Sequence, residues 1–196
     1  MEKIKWGIIG PGNIANNFAD GLKGSYSGQL VSIASKSEDR RKNFGDKYDI
    51  HPDFRFDSYE DIINSEHIDA IYISTPHTLH AQWTIKAAGK GKHILCEKPG
   101  AINFNEGKKI IDAVREAGVF YMEGCMYRCH PQIPKLVDII KNKIIGDVIS
   151  VETSFGFDMG KTIPDHRLFN KNLAGGGILD VGLYPISFSR LIAGVA

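Results

Sequence analysis

Five short apolar runs alternate with helical patterns through the first 123 residues, and no other feature constrains the fold as strongly. The runs are IKWGII (4–9), LVSIAS (30–35), DAIYIS (69–74), HILCE (93–97) and VFYME (119–123). Each is nearly continuous in apolar character, as parallel strands covered on both faces are. Between the first two, Ile14, Phe18 and Leu22 recur at helical spacing. Ser37 predicts the cap of a helix over 38–48, and Ser58 that of a short helix over 59–64. A further helix spans 78–90, with Thr78 as cap and Gly89 and Gly91 as stops. Asn103 caps the next, over 104–117, which Gly118 ends. Strands alternating with helices call for right-handed crossovers, so the expected fold is α/β, a doubly wound parallel sheet.

After Gly124 the pattern changes. Pro131 and Pro134 open a helical stretch near 131–142, and DVISVETSFGFDM (147–159) alternates with period two, as antiparallel strands do. A polar stretch (158–172) and the glycines at 175–177 precede an apolar helix from about 178. The expected organisation is therefore a first domain over 1–124 and, over 125–196, the start of an α+β domain with a mostly antiparallel open sheet. One long strand cannot bury a sheet by itself, so this second domain reads as incomplete. Either the chain is a fragment or a partner supplies the missing strands.

Charge excludes some functions. The 24 basic and 23 acidic residues leave a net +1 with no block of either sign, which gives no reason to expect nucleic-acid or membrane-surface binding. No apolar stretch reaches the length of a membrane span. The N-terminus runs straight into a strand, so no signal peptide is read. Three cysteines, an odd number, fit a reduced cytoplasmic setting better than a disulfide framework.

The first strand runs into Gly10-Pro11-Gly12-Asn13-Ile14-Ala15, a G-x-G-x-x-A sequence. After a buried strand and before a helix, this spacing marks a dinucleotide-binding turn. Gly10 permits the turn, Gly12 lets the backbone approach a pyrophosphate, and Ala15 keeps helix and strand close. Asn13 and Ile14, at the helix start, face the same phosphates. The end of the second strand reads Ser35-Lys36-Ser37-Glu38-Asp39-Arg40, with no acid at the strand end itself. Ser35, Lys36, Ser37 and Arg40 suit a 2′-phosphate, so NADP is expected over NAD. Lys36 and Arg40 equally suit a solvated face, and Glu38 and Asp39 favour a helix dipole.

Two further loops leave the same edge of the sheet. STPHTLHAQ (74–82) places Thr75, Pro76 and His80 where open α/β sheets bind ligands. For His80 a packing or capping role competes with cofactor contact. Glu97-Lys98-Pro99 ends the run at 93–97, where a lysine reaches the nicotinamide side of a dinucleotide and lowers the pKa of a substrate hydroxyl. A solvated Glu–Lys pair before a turn proline is the plain alternative. In the second domain, Asp180 and Tyr184 are spaced i, i+4 and share a helix face. Tyr127 and Arg128, in CMYRCHPQ (125–132), are candidates to line a substrate cleft. Cys125, Cys129 and His130 lack a fourth ligand, so no metal site is expected.

Together GPGNIA, TPHTLHAQWTIKAAGKGKHILCEKP, MEGCMYRCHPQ and GGGILDVGLYP resemble the glucose–fructose oxidoreductase, inositol dehydrogenase and rhizopine-catabolism (Gfo/Idh/MocA) family. The resemblance covers the whole chain, which corresponds to the first part of a usual member. MYRCHPQ and DVGLYP are similar to the branch containing dimeric dihydrodiol dehydrogenase and NADP-dependent D-xylose 1-dehydrogenase. The resemblance implies that Lys98 is the catalytic lysine, followed by a proline whose peptide bond is often cis. It implies that Asp180 and Tyr184 take the acidic and acid/base positions, and that Glu97 belongs to the cofactor side. Where the family's loop has Asn, this chain has His77.

The expected activity is hydride transfer between nicotinamide C4 and a hydroxyl or carbonyl carbon of a sugar, polyol or dihydrodiol, by a homo-oligomer when full length. A non-catalytic NADP-binding regulator on the same fold, or an inactive fragment of the enzyme, are the alternatives.

Overall fold

The computed structural model describes residues 2–161 and 163–194. It divides into two compact units, Met1–Gly124 and Cys125–Ala196.

The first unit is a six-stranded parallel sheet in the order β3-β2-β1-β4-β5-β6. Its strands are β1 (Ile4–Ile9), β2 (Gly28–Ala34), β3 (Arg55–Phe56), β4 (Ala70–Ile73), β5 (His93–Cys96) and β6 (Tyr121–Glu123). The helices are α1 (Asn13–Lys23), α2 (Glu38–Lys47), α3 (Tyr59–Asn64), α4 (His80–Ala88) and α5 (Phe104–Ala117). The alternation seen in the sequence thus yields a Rossmann fold. The strand missing from the sequence reading is β3. Its two residues pair with Ile33 and Ala34, too short a ladder to leave an apolar run.

Both faces of the sheet are covered because successive strand residues point to opposite sides. Ile9, Ala34, Ile71, Ile73, Ile94 and Cys96 pack on one face with Ile62, Trp83, Ala87 and Ile110 from the helices. Ile8, Ile33 and Tyr72 pack on the other with Ala15, Ala19 and Phe44. Phe18 stacks on Tyr72 with ring centroids 4.1 Å apart and meets Trp6 edge-on. Trp83 lies in the core and meets Tyr59 edge-on at 5.1 Å.

Three expected caps are in place. The Ser37 hydroxyl accepts from the Arg40 amide, Ser58 from Glu60 and Asp61, and Asn103 from Glu106. Gly118 closes α5 at φ +64°. Thr78 does not cap the next helix. It lies in a 3₁₀ turn, His77–Leu79, and α4 starts one residue later at His80 with no side-chain cap. A tight turn after Pro76 brings the backbone round in place of the hydroxyl.

The second unit contains α6 (Gln132–Lys141), a π-helical turn (Ile178–Gly182) and α7 (Leu183–Ala193). The strand expected over 147–159 does not form, and no strand occurs among the described residues of this unit. A period-two stretch becomes a strand only when a neighbour pairs its N–H and C=O groups. The apolar helix near 178 is also corrected at its start, where one π turn precedes the α-helix.

Removing side chain from the two-faced core should be costly. Ile71→Ala, at a fully buried position between β1 and β5, should lower stability by about 2–5 kcal/mol. Tyr26→Ala, at a site 97% exposed, should stay within about 0.5 kcal/mol. Urea unfolding followed by tryptophan fluorescence checks both, since Trp6 and Trp83 both lie in this unit.

Candidate active site

The parallel registers bring three loops to one edge. Ile9 pairs with Ile73 and Ile73 with Cys96, so Gly10, Ser74 and Glu97 leave the sheet side by side. Neighbouring strands lie about 4.8 Å apart, which puts the first and third loops about 10 Å apart.

The first loop is the glycine turn. Gly10 adopts φ +87°, a conformation that disfavours a side chain, and a Cβ there would stand 3.0 Å from the Ser74 carbonyl oxygen. Ser74 Oγ donates to the Gly10 carbonyl at 2.8 Å. A Cβ at Gly12 would meet nothing within 4 Å, so that backbone is open to an approaching group. Gly12 is also the N-cap of α1, with no side-chain cap and no acid in the first turn. The helix start, with Asn13 and Ile14, therefore presents amide N–H groups and a positive dipole end toward the open space. Ala15 is fully buried against the sheet. This cradle fits a dinucleotide pyrophosphate.

At the end of β2, Ser35 is buried while Lys36, Ser37 and Arg40 are exposed. The Ser37 hydroxyl serves as the helix cap, and Lys36 Nζ stands 6.0 Å from the centroid of the Tyr59 ring. Arg41, which the sequence reading passed over, turns back to the strand end. Its Nη1 donates to the Ser35 carbonyl at 2.7 Å. Helical spacing gave no sign that this arginine, rather than its neighbour, would face the strand end.

The third loop holds Lys98, and its backbone is gripped at consecutive residues. The Glu97 carboxylate accepts from the Tyr72 hydroxyl at 2.5 Å through one oxygen and from the Lys98 amide at 3.3 Å through the other. The Pro99 carbonyl stands 2.8 Å from His80 Nδ1. The Gly100 amide donates to Glu123 at 2.8 Å. The Lys98–Pro99 bond is cis, the form the resemblance implies. Burial, reinforced by the bond to Glu97, pushes the Tyr72 hydroxyl well above its ordinary range, so Tyr72 stays a neutral donor. Burial likewise pushes the Cys96 thiol up to about 12, leaving it unreactive inside the sheet. These contacts of Tyr72, His80 and Glu123 span 19 to 25 residues, beyond any local pattern.

Between these loops, Thr75 is buried, Pro76 is exposed, and His80 is wholly inaccessible. His80 therefore packs against protein carbonyls, the plainer of its two sequence readings.

Asp180, Tyr184, Tyr127 and Arg128 belong to the second unit. Asp180, largely buried in the π turn, pairs with Arg167 at 3.4 Å. Tyr184 meets the ring of Tyr127 at 6.2 Å and that of Phe155 at 5.2 Å. Arg128 directs Nε and Nη2 to Ser187 Oγ at 3.3 and 3.1 Å, and Nη2 also to the Ser187 carbonyl at 3.0 Å. Tyr127 Oη lies 2.8 Å from the same hydroxyl. Tyr127, Glu152, Phe155, Tyr184 and Phe188 help line a cavity of about 1020 Å³. Among the described residues, no three His, Cys, Asp or Glu groups cluster to hold a metal ion, and no helix is long and apolar enough to cross a membrane.

Known proteins resemble this chain over most of its length. The chain is 34% identical over 193 residues to trans-1,2-dihydrobenzene-1,2-diol dehydrogenase from Mus musculus, covering 97% of this chain and 56% of the relative. It is 34% identical over 191 residues to D-xylose 1-dehydrogenase (NADP(+)) 2 from Haloferax volcanii, covering 97% and 58%. Among solved structures it is similar to an aldose-aldose oxidoreductase from Caulobacter crescentus complexed with glycerol. That match has a TM-score of 0.90 and 28% identity, over 98% of this chain and 58% of the other. A 3-ketoreductase from Actinomadura kijaniata, in complex with TDP-benzene and NADP, matches with a TM-score of 0.81 and 31% identity over 98% and 57%. The chain thus spans little more than half the length of these relatives. A family model described as "Oxidoreductase family, NAD-binding Rossmann fold" matches residues 4–125, and with the glycine turn and the Glu-Lys-Pro loop on one sheet edge the chain belongs to that family, GFO_IDH_MocA.

Proposed function

We propose that the protein is an NADP-preferring oxidoreductase that interconverts a hydroxyl and a carbonyl on a sugar, polyol or dihydrodiol. The observation that carries this reading is the placement of Lys98, in a gripped turn, on the same sheet edge as the open cradle at Gly12. The bound nicotinamide supplies or accepts the hydride at C4. The protein's part is to bind, orient and move a proton. Gly10, Gly12, Asn13 and Ile14 receive the pyrophosphate. Ser35, Lys36, Ser37 and Arg40, joined by Arg41, receive the 2′-phosphate, with the guanidinium of Arg41 already at the strand end. Thr75, Pro76 and Glu97 line the nicotinamide side. His80, being inaccessible, acts there only through its neighbours.

Lys98 holds the reacting substrate oxygen and, as an ammonium, stabilises negative charge on it. Tyr184 exchanges the proton with that oxygen, and Asp180, held by Arg167, orients them. Tyr127 and Arg128 take a substrate-facing role through the Ser187 cluster. Relatives support the class: two act, by name, on a dihydrodiol and on D-xylose, and the latter names NADP(+). The 3-ketoreductase was also solved with a lysine replaced and with a tyrosine replaced, the same two residue types. We further propose a cytoplasmic setting, consistent with three free cysteines, and a second unit that serves substrate binding and homo-oligomer contacts in the intact protein.

Lys98→Met and Tyr184→Phe should each lower turnover in the intact protein by about 10²–10⁴-fold while NADPH binding is retained. Nicotinamide absorbance across a panel of aldoses and diols measures the first, and NADPH fluorescence titration the second. Undiminished turnover in both variants would overturn these two roles, whereas NADPH binding by the parent with no absorbance change across the panel would favour the non-catalytic regulator.

The two glycines should separate stability from binding. Gly10→Ala forces a side chain into a left-handed conformation against Ser74 and should cost about 1–2 kcal/mol or more in urea unfolding. Gly12→Ala, with open space around its new Cβ, should leave stability within about 0.5 kcal/mol and weaken NADPH binding about tenfold or more. Arg41→Ala should weaken NADPH about tenfold and leave NADH binding unchanged, as titrations of the two nucleotides will show.

A further inference from the structure

His80 is fully buried, yet both of its ring nitrogens stand at hydrogen-bond distance from carbonyl oxygens. Nε2 lies 2.7 Å from the Thr75 carbonyl and Nδ1 lies 2.8 Å from the Pro99 carbonyl. Carbonyl oxygens only accept, so the ring acts here as a donor, and as a double donor when both nitrogens carry hydrogens. A buried carbonyl left without its partner costs about 1–3 kcal/mol, so an end to which the ring donates resists being pulled away.

What the ring connects is specific. Thr75 directly follows Ser74, whose hydroxyl donates to the Gly10 carbonyl and whose own carbonyl oxygen would stand 3.0 Å from a Gly10 Cβ. The loop after β4 is therefore pressed onto the glycine turn. Pro99 directly follows Lys98. His80 is anchored at the first residue of α4, whose helix packs into the core through Trp83, Ala87 and Ala88. The contacts run from Gly10 through Ser74 and Thr75 to His80, and on through Pro99 to Lys98. Strand pairing alone fixes these loops only as far as Cys96 and Glu97, since the last ladder contact is the Glu97 amide on the Ile73 carbonyl.

We propose that His80 is a positioning residue that sets the reach of Lys98 from the dinucleotide cradle, by tying the backbone beside the glycine turn to the backbone beside the lysine. It touches neither cofactor nor substrate. The inference rests on the reading of Lys98 as the group beside the nicotinamide, but its test does not depend on turnover.

The lysines of the full chain are reductively methylated with carbon-13 formaldehyde, and the Lys98 signal is assigned by its loss in Lys98→Arg. His80→Phe fills the ring's volume and donates nothing. His80→Gln keeps one amide donor. In folded His80→Phe, judged by circular dichroism, the Lys98 signal should move or broaden, and its response to added NADPH should shrink by at least half. His80→Gln should recover part of both. In the intact enzyme, His80→Gln should lower kcat about tenfold with an unchanged NADPH dissociation constant. If His80→Phe does not fold, the Lys98 signal of His80→Gln decides alone, a displaced signal supporting the tether and an unmoved one overturning it. A Lys98 signal and NADPH response identical to the parent in a folded variant overturn the proposal while leaving the role of Lys98 intact. Full turnover in Lys98→Met, by contrast, removes the catalytic reading without touching the tether.

Discussion

The parallel ladder of β4 against β1 and β5 is the constraint on which the rest of the structure depends. Its register ends three strands at Ile9, Ile73 and Cys96, so three loops begin level with one another on one edge. A slip of one residue in β4 would turn Tyr72 and Ile73 to the wrong faces, exposing one core and burying the other incorrectly. It would also take the Tyr72 hydroxyl away from Glu97. The apolar burial that holds the sheet together is thus the same force that aligns the cradle, the 74–80 loop and Lys98.

The loop around Lys98 shows how a long side chain is given a fixed base. Lysine has a long, rotamer-rich stem, and fixing its charge in space begins with its backbone. Here the grip is made of unlike parts: a carboxylate turned back on the Lys98 amide, a buried imidazole on the Pro99 carbonyl, and a second carboxylate on the Gly100 amide. A Cβ at Gly100 would collide with the Tyr121 hydroxyl, so the turn also needs its glycine. Each contact satisfies a polar group that the fold has partly or wholly removed from water, which lets so polar a turn lie against an apolar sheet.

The second unit obeys the same physics with a different outcome. Residues 147–159 carry a clear alternation, yet they form no ladder, and Ile149 is 93% exposed. Helical hydrogen bonds close within one segment, so α6 and α7 form from their own sequence. A strand borrows its hydrogen bonds from a neighbour. The aromatic cluster of Tyr127, Phe155, Tyr184 and Phe188 and the Arg128–Ser187 contacts tie α7 to the 3₁₀ turn Met126–Cys129 and to Phe155, with no sheet among the described residues of this unit.

The sequence by itself determined the doubly wound first unit, because apolar runs, caps and glycines act over a few residues and leave a local record. It located the glycine turn and Lys98 at a strand end for the same reason. It missed β3, whose two residues are too few for a pattern, and it placed a cap at Thr78 where a 3₁₀ turn made one unnecessary. Only the tertiary structure decided that Arg41 turns to the strand end, that Tyr72 and Glu123 serve the Lys98 turn, and that His80 joins two loops from within the core. Those contacts arise when distant segments meet at the sheet edge, and the identity of a residue does not carry the direction in which packing will point it.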